Sequence, residues 1–238
     1  MKILNLIEFV VIFLVVSCTP INKSVLEEQN IIKIEQAIDV KKSLAHQTQK
    51  EITILNNLEK ESLIEPKIQE LSINDRNNVL CLALNIYNEA RGSIVEDQIA
   101  TTYVVFNRFY NKSYPLRNKS ENKNFCDIVF DKYQFCWTNP DVIKTPKEKE
   151  SWKHCQELAL QLYQNPEHKE LAKQFKLKHY VVSSMLNDPQ KPKWINDRKL
   201  TIKIGKHSYM AIKEQIDDND NNRNYLTNII KKGKSLVK

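Results

Sequence analysis

Apolar residues recur at helical spacing in three stretches of this chain, and later they alternate. In the first stretch Val79, Leu82, Ala83, Ile86 and Ala90 mark one face of a helix. It is expected to start near Asn74 or Asp75 and to stop at Gly92. In the second, roughly Val95 to Tyr110, the stripe is Ile99, Thr102, Val105, Phe106 and Phe109. A third helix is expected from about Lys147 to Gln164, with Trp152, Cys155, Leu158, Ala159 and Leu162 inward. Then the period changes. "HYVV" (His179 to Val182) and "LTIKIGKHSYMAI" (Leu200 to Ile212) have the β-branched, alternating character of strands, with Gly205-Lys206 as a turn. Helices first and strands later predict an α+β domain over 72–213. It should be mainly helical, with a small antiparallel sheet near its C-terminal end.

The flanks have other patterns. Residues 19–71 are polar and charged with scattered Ile and Leu, such as Ile31, Ile34, Ile38, Ile54, Leu55 and Leu58. No heptad is sustained, so a partly helical stalk over 18–71 is expected rather than a coiled coil. Residues 214–238 contain "DDNDNNRN" and end in lysines, which predicts a flexible or weakly helical tail. A loop rich in Asn, Lys and Ser is expected over 111–124.

At the start, "MKILNLIEFVVIFLVVSCTP" has a continuous apolar run from Phe9 to Val16. That is too short to span a bilayer, which takes roughly 20 residues, and has the length of a signal-peptide core. "VVSC" resembles a bacterial lipobox. Cleavage after residue 17 would leave Cys18 as the lipidated N-terminus, an anchor rather than a span. An ordinary secretory signal that happens to contain a cysteine is the plainer alternative. Thr19 follows Cys18 where an Asp would signal retention in the inner membrane of enteric bacteria. The expected place is therefore the periplasmic side of the envelope, at an outer membrane if there is one.

Composition changes this picture little. The formal net charge is +7 and the pI about 9.0. A basic surface attracts nucleic acid, anionic lipid or anionic wall polymer. Acidic and basic residues are interleaved here, unlike a nucleic-acid groove, and no nucleic-acid partner is expected. Apart from Cys18 there are Cys81, Cys126, Cys136 and Cys155. In an exported protein these allow three disulfide pairings, which spacing does not choose between; Cys155, on an apolar face, also fits a buried free thiol. The five histidines include no H-E-x-x-H and no i, i+4 pair, so neither metal nor other cofactor is expected.

Candidate chemistry centres on "LNIYNEARGS", residues 84–93. A lone Glu on a helix is usually a solvated charge, and Glu89 acquires significance only from its context. The run Asn85 to Pro115 carries Ile86, Tyr87, Glu89, Ala90, Arg91, Gly92, Gln98, Ala100, Val105, Asn107, Arg108, Tyr114 and Pro115. "CDIVFDKYQFCWT" (Cys126 to Thr138), His179-Tyr180, Pro192 with Trp194, and "IGKHSYM" follow in order. Over about residues 76–211 this resembles the cell wall hydrolases of the spore cortex-lytic (SleB) type. Their pattern runs I-Y-x-E-A-R-G-E, Q-A-V, V-x-N-R, Q-F-S-W-T, T-H-Y, P-x-W and I-G-x-H-x-F/Y. Four positions depart from it. Ser93 stands where the family commonly has a second Glu, Asp97 where it has Gly, Cys136 where it has Ser, and Lys178 where it has Thr.

The resemblance implies a lysozyme-like fold that cleaves the MurNAc–GlcNAc bond of peptidoglycan by lytic transglycosylase chemistry. Glu89 would be the acid and then the base. Such an acid works near neutral pH only if an apolar setting raises its pKa. Loss of the second carboxylate at Ser93 fits a single-acid mechanism better than a two-carboxylate hydrolase. Glu96 and Asp97 are alternatives for a second carboxylate, but acidic residues early in a helix also suit its dipole. Gln134, Phe135 and Trp137 would line the glycan cleft, with core packing as the plain reading of Phe135. Tyr87 and Gln98 would also meet substrate. Arg91 would bind a substrate carboxylate or brace Glu89, and His179 and Tyr180 would touch substrate or fix Glu89. Asn107 and Arg108 would tie the second helix to its neighbours. Two rival readings remain: an N-acetylmuramoyl-L-alanine amidase, and a wall-binding lipoprotein without turnover.

Overall fold

The computed structural model describes residues 49, 51–110, 124–131, 134–138, 145–191, 193–212 and 220–237. The signal segment 1–17, Cys18, the stalk up to residue 48, the 111–123 loop, Pro192, the side chain of Trp194 and the start of the tail lie outside them.

Two helices form the centre. Helix α1 (51–60) and the short α2 (Pro66–Gln69) lead into α3 (Ile73–Ala90), which is followed by α4 (Val95–Tyr110). Ser72 caps α3, its side chain accepting the Asp75 N–H at 3.2 Å. From Val79 to Tyr87 every residue of α3 is buried, and so is every residue of α4 from Asp97 to Arg108. These stretches present no face to solvent, so they must be packed on several sides. Around them lie α5 (Phe125–Val129), α6 (Lys149–Gln164) and α7 (Pro166–Phe175). The α6 stripe of Trp152, Cys155, Leu158, Ala159 and Leu162 is buried as its spacing predicts. Pro166 opens α7, and the Asn165 side chain accepts the Glu167 N–H at 2.9 Å.

Three antiparallel strands complete the domain: β1 (His179–Val182), β2 (Arg198–Ile204) and β3 (His207–Ile212), in the order β1-β3-β2. The α+β, mainly helical architecture is the one the periodicity predicts. Tyr180 pairs with Tyr209 and Val182 with His207, and a register shift falls between Leu200 and Ile202 of β2. Gly205 turns the β2–β3 hairpin at φ +55°. A Cβ there would lie 2.4 Å from Ser93 Oγ and 2.6 Å from an Asp97 oxygen, so only glycine lets the hairpin close on the start of α4.

Both flanks differ from expectation. Residues 47–238 form one compact unit, which begins well before Ser72. Ile54, Leu55, Leu58, Ile64 and Ile68 join the main core. Trp152 Nε1 donates to Leu63 O at 2.7 Å, and Gln156 Oε1 accepts from Glu65 N at 3.0 Å, fixing this segment to α6. At the other end, Asp220–Ser235 is a sixteen-residue helix, α8, with Leu226, Ile229 and Ile230 buried against the core. Its polar composition masked a stripe at i, i+3 and i+4. Among the described residues no helix is long and apolar enough to cross a membrane.

Cys81 and Cys126 are joined by a disulfide between α3 and α5. Cys155 is a buried free thiol, pushed up to about 12 by burial, and Cys136 is free and exposed.

Candidate active site

Residues 85 and 89 of α3 lie about 40° apart around the helix, so Asn85 and Glu89 share a face. Tyr87 is on the opposite side. The Asn85–Glu89 face meets Tyr180 of β1, Arg108 of α4, and His207 and Tyr209 of β3. Arg108 is held by its Nε, which donates to Lys178 O at 2.8 Å, while Asn107 Nδ2 donates to Leu177 O at 3.0 Å. These two bonds tie α4 to the segment entering β1, the role expected for Asn107 and Arg108. The Arg108 guanidinium also lies 5.2 Å from the Phe135 ring centroid, and Phe135 is 6.2 Å from Tyr180.

Glu89 is only partly exposed. Burial is the largest influence on its carboxyl and pushes it above the ordinary range. The positive charge of His207, the Tyr180 hydroxyl and Arg108 pull the other way without cancelling it. Tyr180 is itself pushed far up, first by burial and then by the Glu89 charge, so its hydroxyl keeps its proton.

Polar atoms here are left over. Both side-chain atoms of Asn85, the Tyr180 hydroxyl and His207 Nε2 are buried without an aligned hydrogen-bond partner. Tyr180 sits between Asn85 and Glu89, near enough for each to affect its proton. Unsatisfied buried polar groups are costly and rare, at about 1–3 kcal/mol each. Asn85, Tyr180 and His207 thus bring polar atoms together beside the Glu89 carboxyl.

Behind His207 lies Asp97, which is wholly buried. His207 Nδ1 is 3.0 and 3.1 Å from its two oxygens, and the Tyr209 hydroxyl donates to it at 2.7 Å. Ser93 Oγ also donates to Asp97, as does Lys206 N at 3.0 Å. Burial alone would raise Asp97, but the bonds from His207, Ser93 and Tyr209 outweigh it and hold the carboxyl below its ordinary value. Asp97 is therefore not the solvated helix-start charge its position suggests. Glu96 is, paired with Lys234 at 2.6 Å.

Of the expected site residues, the structure gathers Glu89, Tyr180 and Phe135. Tyr87 and Arg91 are elsewhere. The Tyr87 hydroxyl accepts from Lys147 N and Glu148 N at 3.1 Å each, and its ring meets Trp152 edge-on at 5.8 Å. Arg91 lies 4.6 Å over the Tyr87 ring, donates to Tyr87 O at 3.0 Å and pairs with Glu148 at 3.1 Å. It braces the start of α6, not Glu89. Gln98 is buried, donating to Ala90 O at 3.2 Å with its Oε1 2.9 Å from His154 Nε2. It closes the α3–α4 corner. Gln134 reaches Asp131 at 3.4 Å, and Trp137 packs on Phe130 at 5.7 Å. Strand alternation puts His179 on the face opposite Tyr180.

The sequence alone gives Asn85 and His207 no place in the site and offers Asp97 only as an alternative second carboxylate. Asn85 is a polar residue inside an apolar run, and His207 and Tyr209 alternate on one strand face; both signals were in the sequence. Asp97 had none, because its partners lie 110 and 112 residues away.

No protein-family model, curated protein or solved structure matches this chain in comparisons with known proteins.

Proposed function

We propose that the protein is a peptidoglycan-cleaving enzyme of lysozyme-like kind that breaks the MurNAc–GlcNAc bond, with Glu89 as its acid. The observation that carries this is the partly buried Glu89 carboxyl, raised by burial and facing the Tyr180 hydroxyl, Arg108 and His207. A raised carboxyl keeps its proton closer to neutral pH and so can deliver it to the glycosidic oxygen. The ordered motifs from Glu89 to His207 support the same reading through their resemblance to cortex-lytic hydrolases.

The lytic transglycosylase outcome is favoured over hydrolysis. Asp97, the nearby candidate for a water-activating carboxylate, is wholly buried and engaged by His207, Tyr209 and Ser93. A single carboxyl then serves twice. Protonated Glu89 gives its proton to the leaving GlcNAc oxygen as the bond to MurNAc C1 breaks. The carboxylate then takes the proton of the MurNAc C6 hydroxyl as that oxygen bonds to C1, giving a 1,6-anhydro end. Anchoring through Cys18 on the periplasmic side of the envelope belongs to the same proposal.

Incubating the purified protein with sacculi and weighing the muropeptides tests it. Anhydro products, lighter by one water than reducing ends, are expected, and Glu89→Gln should cut the rate on the order of 100- to 10,000-fold. Reducing ends would make it a muramidase. New free amino groups on intact glycan would make it an amidase and refute the proposal. Binding to sacculi without any cleavage would make it a wall-binding protein.

A further inference from the structure

Asp97 and His207 explain little if they serve the fold alone. A buried carboxylate and imidazole are costly in a hydrophobic domain, and apolar residues of similar volume commonly do as well. Here four donors converge on Asp97, from Ser93, Lys206, His207 and Tyr209. The arrangement fixes one thing: with only acceptor oxygens facing it, His207 Nδ1 carries the hydrogen. The other nitrogen, Nε2, is buried and unpartnered. The ring lies 5.0 Å from that of Tyr180, which in turn touches Glu89. The imidazole therefore bridges two groups: Nδ1 is bonded to Asp97, and the ring packs on Tyr180 beside Glu89.

We propose that Asp97 and His207 form a positioning pair for Glu89, in which Asp97 holds the imidazole so that its free edge sets the charge state of the acid. The proposal rests on the reading of Glu89 as the acid. The groups that face Glu89 are Asn85 on its own helix, Arg108 on α4, Tyr180 on β1, and His207 and Tyr209 on β3, with Asp97 behind them. Arg108 is committed through Nε to Lys178 O, and neither tyrosine ionises near neutral pH. His207 is thus the neighbour whose positive charge Asp97 supports and whose place beside the Glu89 site the bonds at Nδ1 fix. As a cation it favours the Glu89 carboxylate, so it lowers the pH at which Glu89 gives up its proton. The acid is left raised by burial but restrained, able both to donate and to take back a proton.

The test is the titration of Glu89 in the whole protein, followed by NMR of carboxyl-labelled glutamate, with Glu89→Gln assigning the signal. In His207→Gln the Glu89 midpoint should rise by roughly one pH unit, the low end of what an opposite charge at close range does. Asp97→Asn, which keeps the volume and hydrogen-bonding reach, should move it the same way, because the imidazole loses the carboxylate that supports its charge. On sacculi, the basic limb of kcat should move with the midpoint while KM holds. A midpoint that stays put or falls in either folded variant overturns the inference, as does a pH profile that scales without shifting. The two proposals fail separately. If wild-type protein cleaves no glycan but the midpoint still moves, the pair stands and the enzymatic reading falls. If glycan is cleaved and the midpoint does not move, only the pair falls.

Discussion

Gly233→Ala separates two pictures of the C-terminal segment by the sign of its effect. If residues 220–235 were a solvated helix, Ala in place of Gly would stabilise it by about 0.8–1 kcal/mol through helix propensity. Helix α8 is instead packed on the core, and Gly233 is buried. A Cβ at Gly233 would lie 2.6 Å from the Tyr103 hydroxyl and 3.4 Å from Ile99 Cγ2. Tyr103 cannot swing aside. Its ring is fully buried, with centroids 6.4 Å from Phe106 and 6.0 Å from Phe175. Its hydroxyl is 2.9 Å from Nδ1 of the buried His168. Burial holds His168 below its ordinary value, hence neutral, so Tyr103 donates and Nδ1 accepts. Overpacking of this kind costs about 1–3 kcal/mol, and losing a buried hydrogen bond adds about 1 kcal/mol. Subtracting the propensity gain leaves a net loss of about 1–3 kcal/mol. For a domain of this size each kcal/mol is worth roughly 2–4 °C, so the midpoint should fall by about 2–12 °C by calorimetry or circular dichroism. A rise of a few degrees would refute the docking of α8.

Three further outcomes follow from the core. Glu51 is pushed up to about 7 by burial, with the charge of Asp127 adding to it. Its folded pKa exceeds its unfolded one, so its ionisation costs stability increasingly as pH rises from about 4.5 to 7. Urea unfolding should show Glu51→Gln flattening that decline and gaining about 1–2 kcal/mol at pH 8, a figure discounted for solvent; equal gains at pH 5 and pH 8 would count against the account. Reducing Cys81–Cys126, which closes a loop of separation 45, should cost about 4 kcal/mol in urea midpoint times slope. In native protein an alkylating agent should modify exposed Cys136 well before buried Cys155, as peptide mass mapping will read.

Local signals governed how much of the fold was legible. The helical stripes of α3, α4 and α6 and the alternation of β1 and β3 lie in short windows, and each element forms where its pattern falls. Helices α1, α2 and α8 carry stripes just as regular, such as Ile54, Leu55 and Leu58, but sit in polar composition. Their burial depends on partners far along the chain, such as Trp152 and Tyr103. The same division runs through the candidate site. Glu89 could be singled out from a run of motifs, whereas Tyr87 and Arg91, two residues to either side, point to the opposite side of the helix and serve packing. Adjacency in a motif says nothing about adjacency in space.

Ser93 and Asp97 act as one structural unit. They are four residues apart on adjoining turns, and Ser93 Oγ donates to Asp97. Together they receive the hairpin turn: Lys206 N reaches Asp97 at 3.0 Å and Ser93 Oγ at 3.4 Å, and Gly205 packs where no side chain would fit. That turn delivers His207. A Gly at 97 would leave the imidazole without its carboxylate, and a Glu at 93 beside Asp97 would place two carboxylates in one buried spot, where one must stay protonated. The junction of Ser93, Asp97 and the hairpin turn holds a single carboxylate. Ser93 and Asp97 thus anchor the turn that leads into the strand carrying His207.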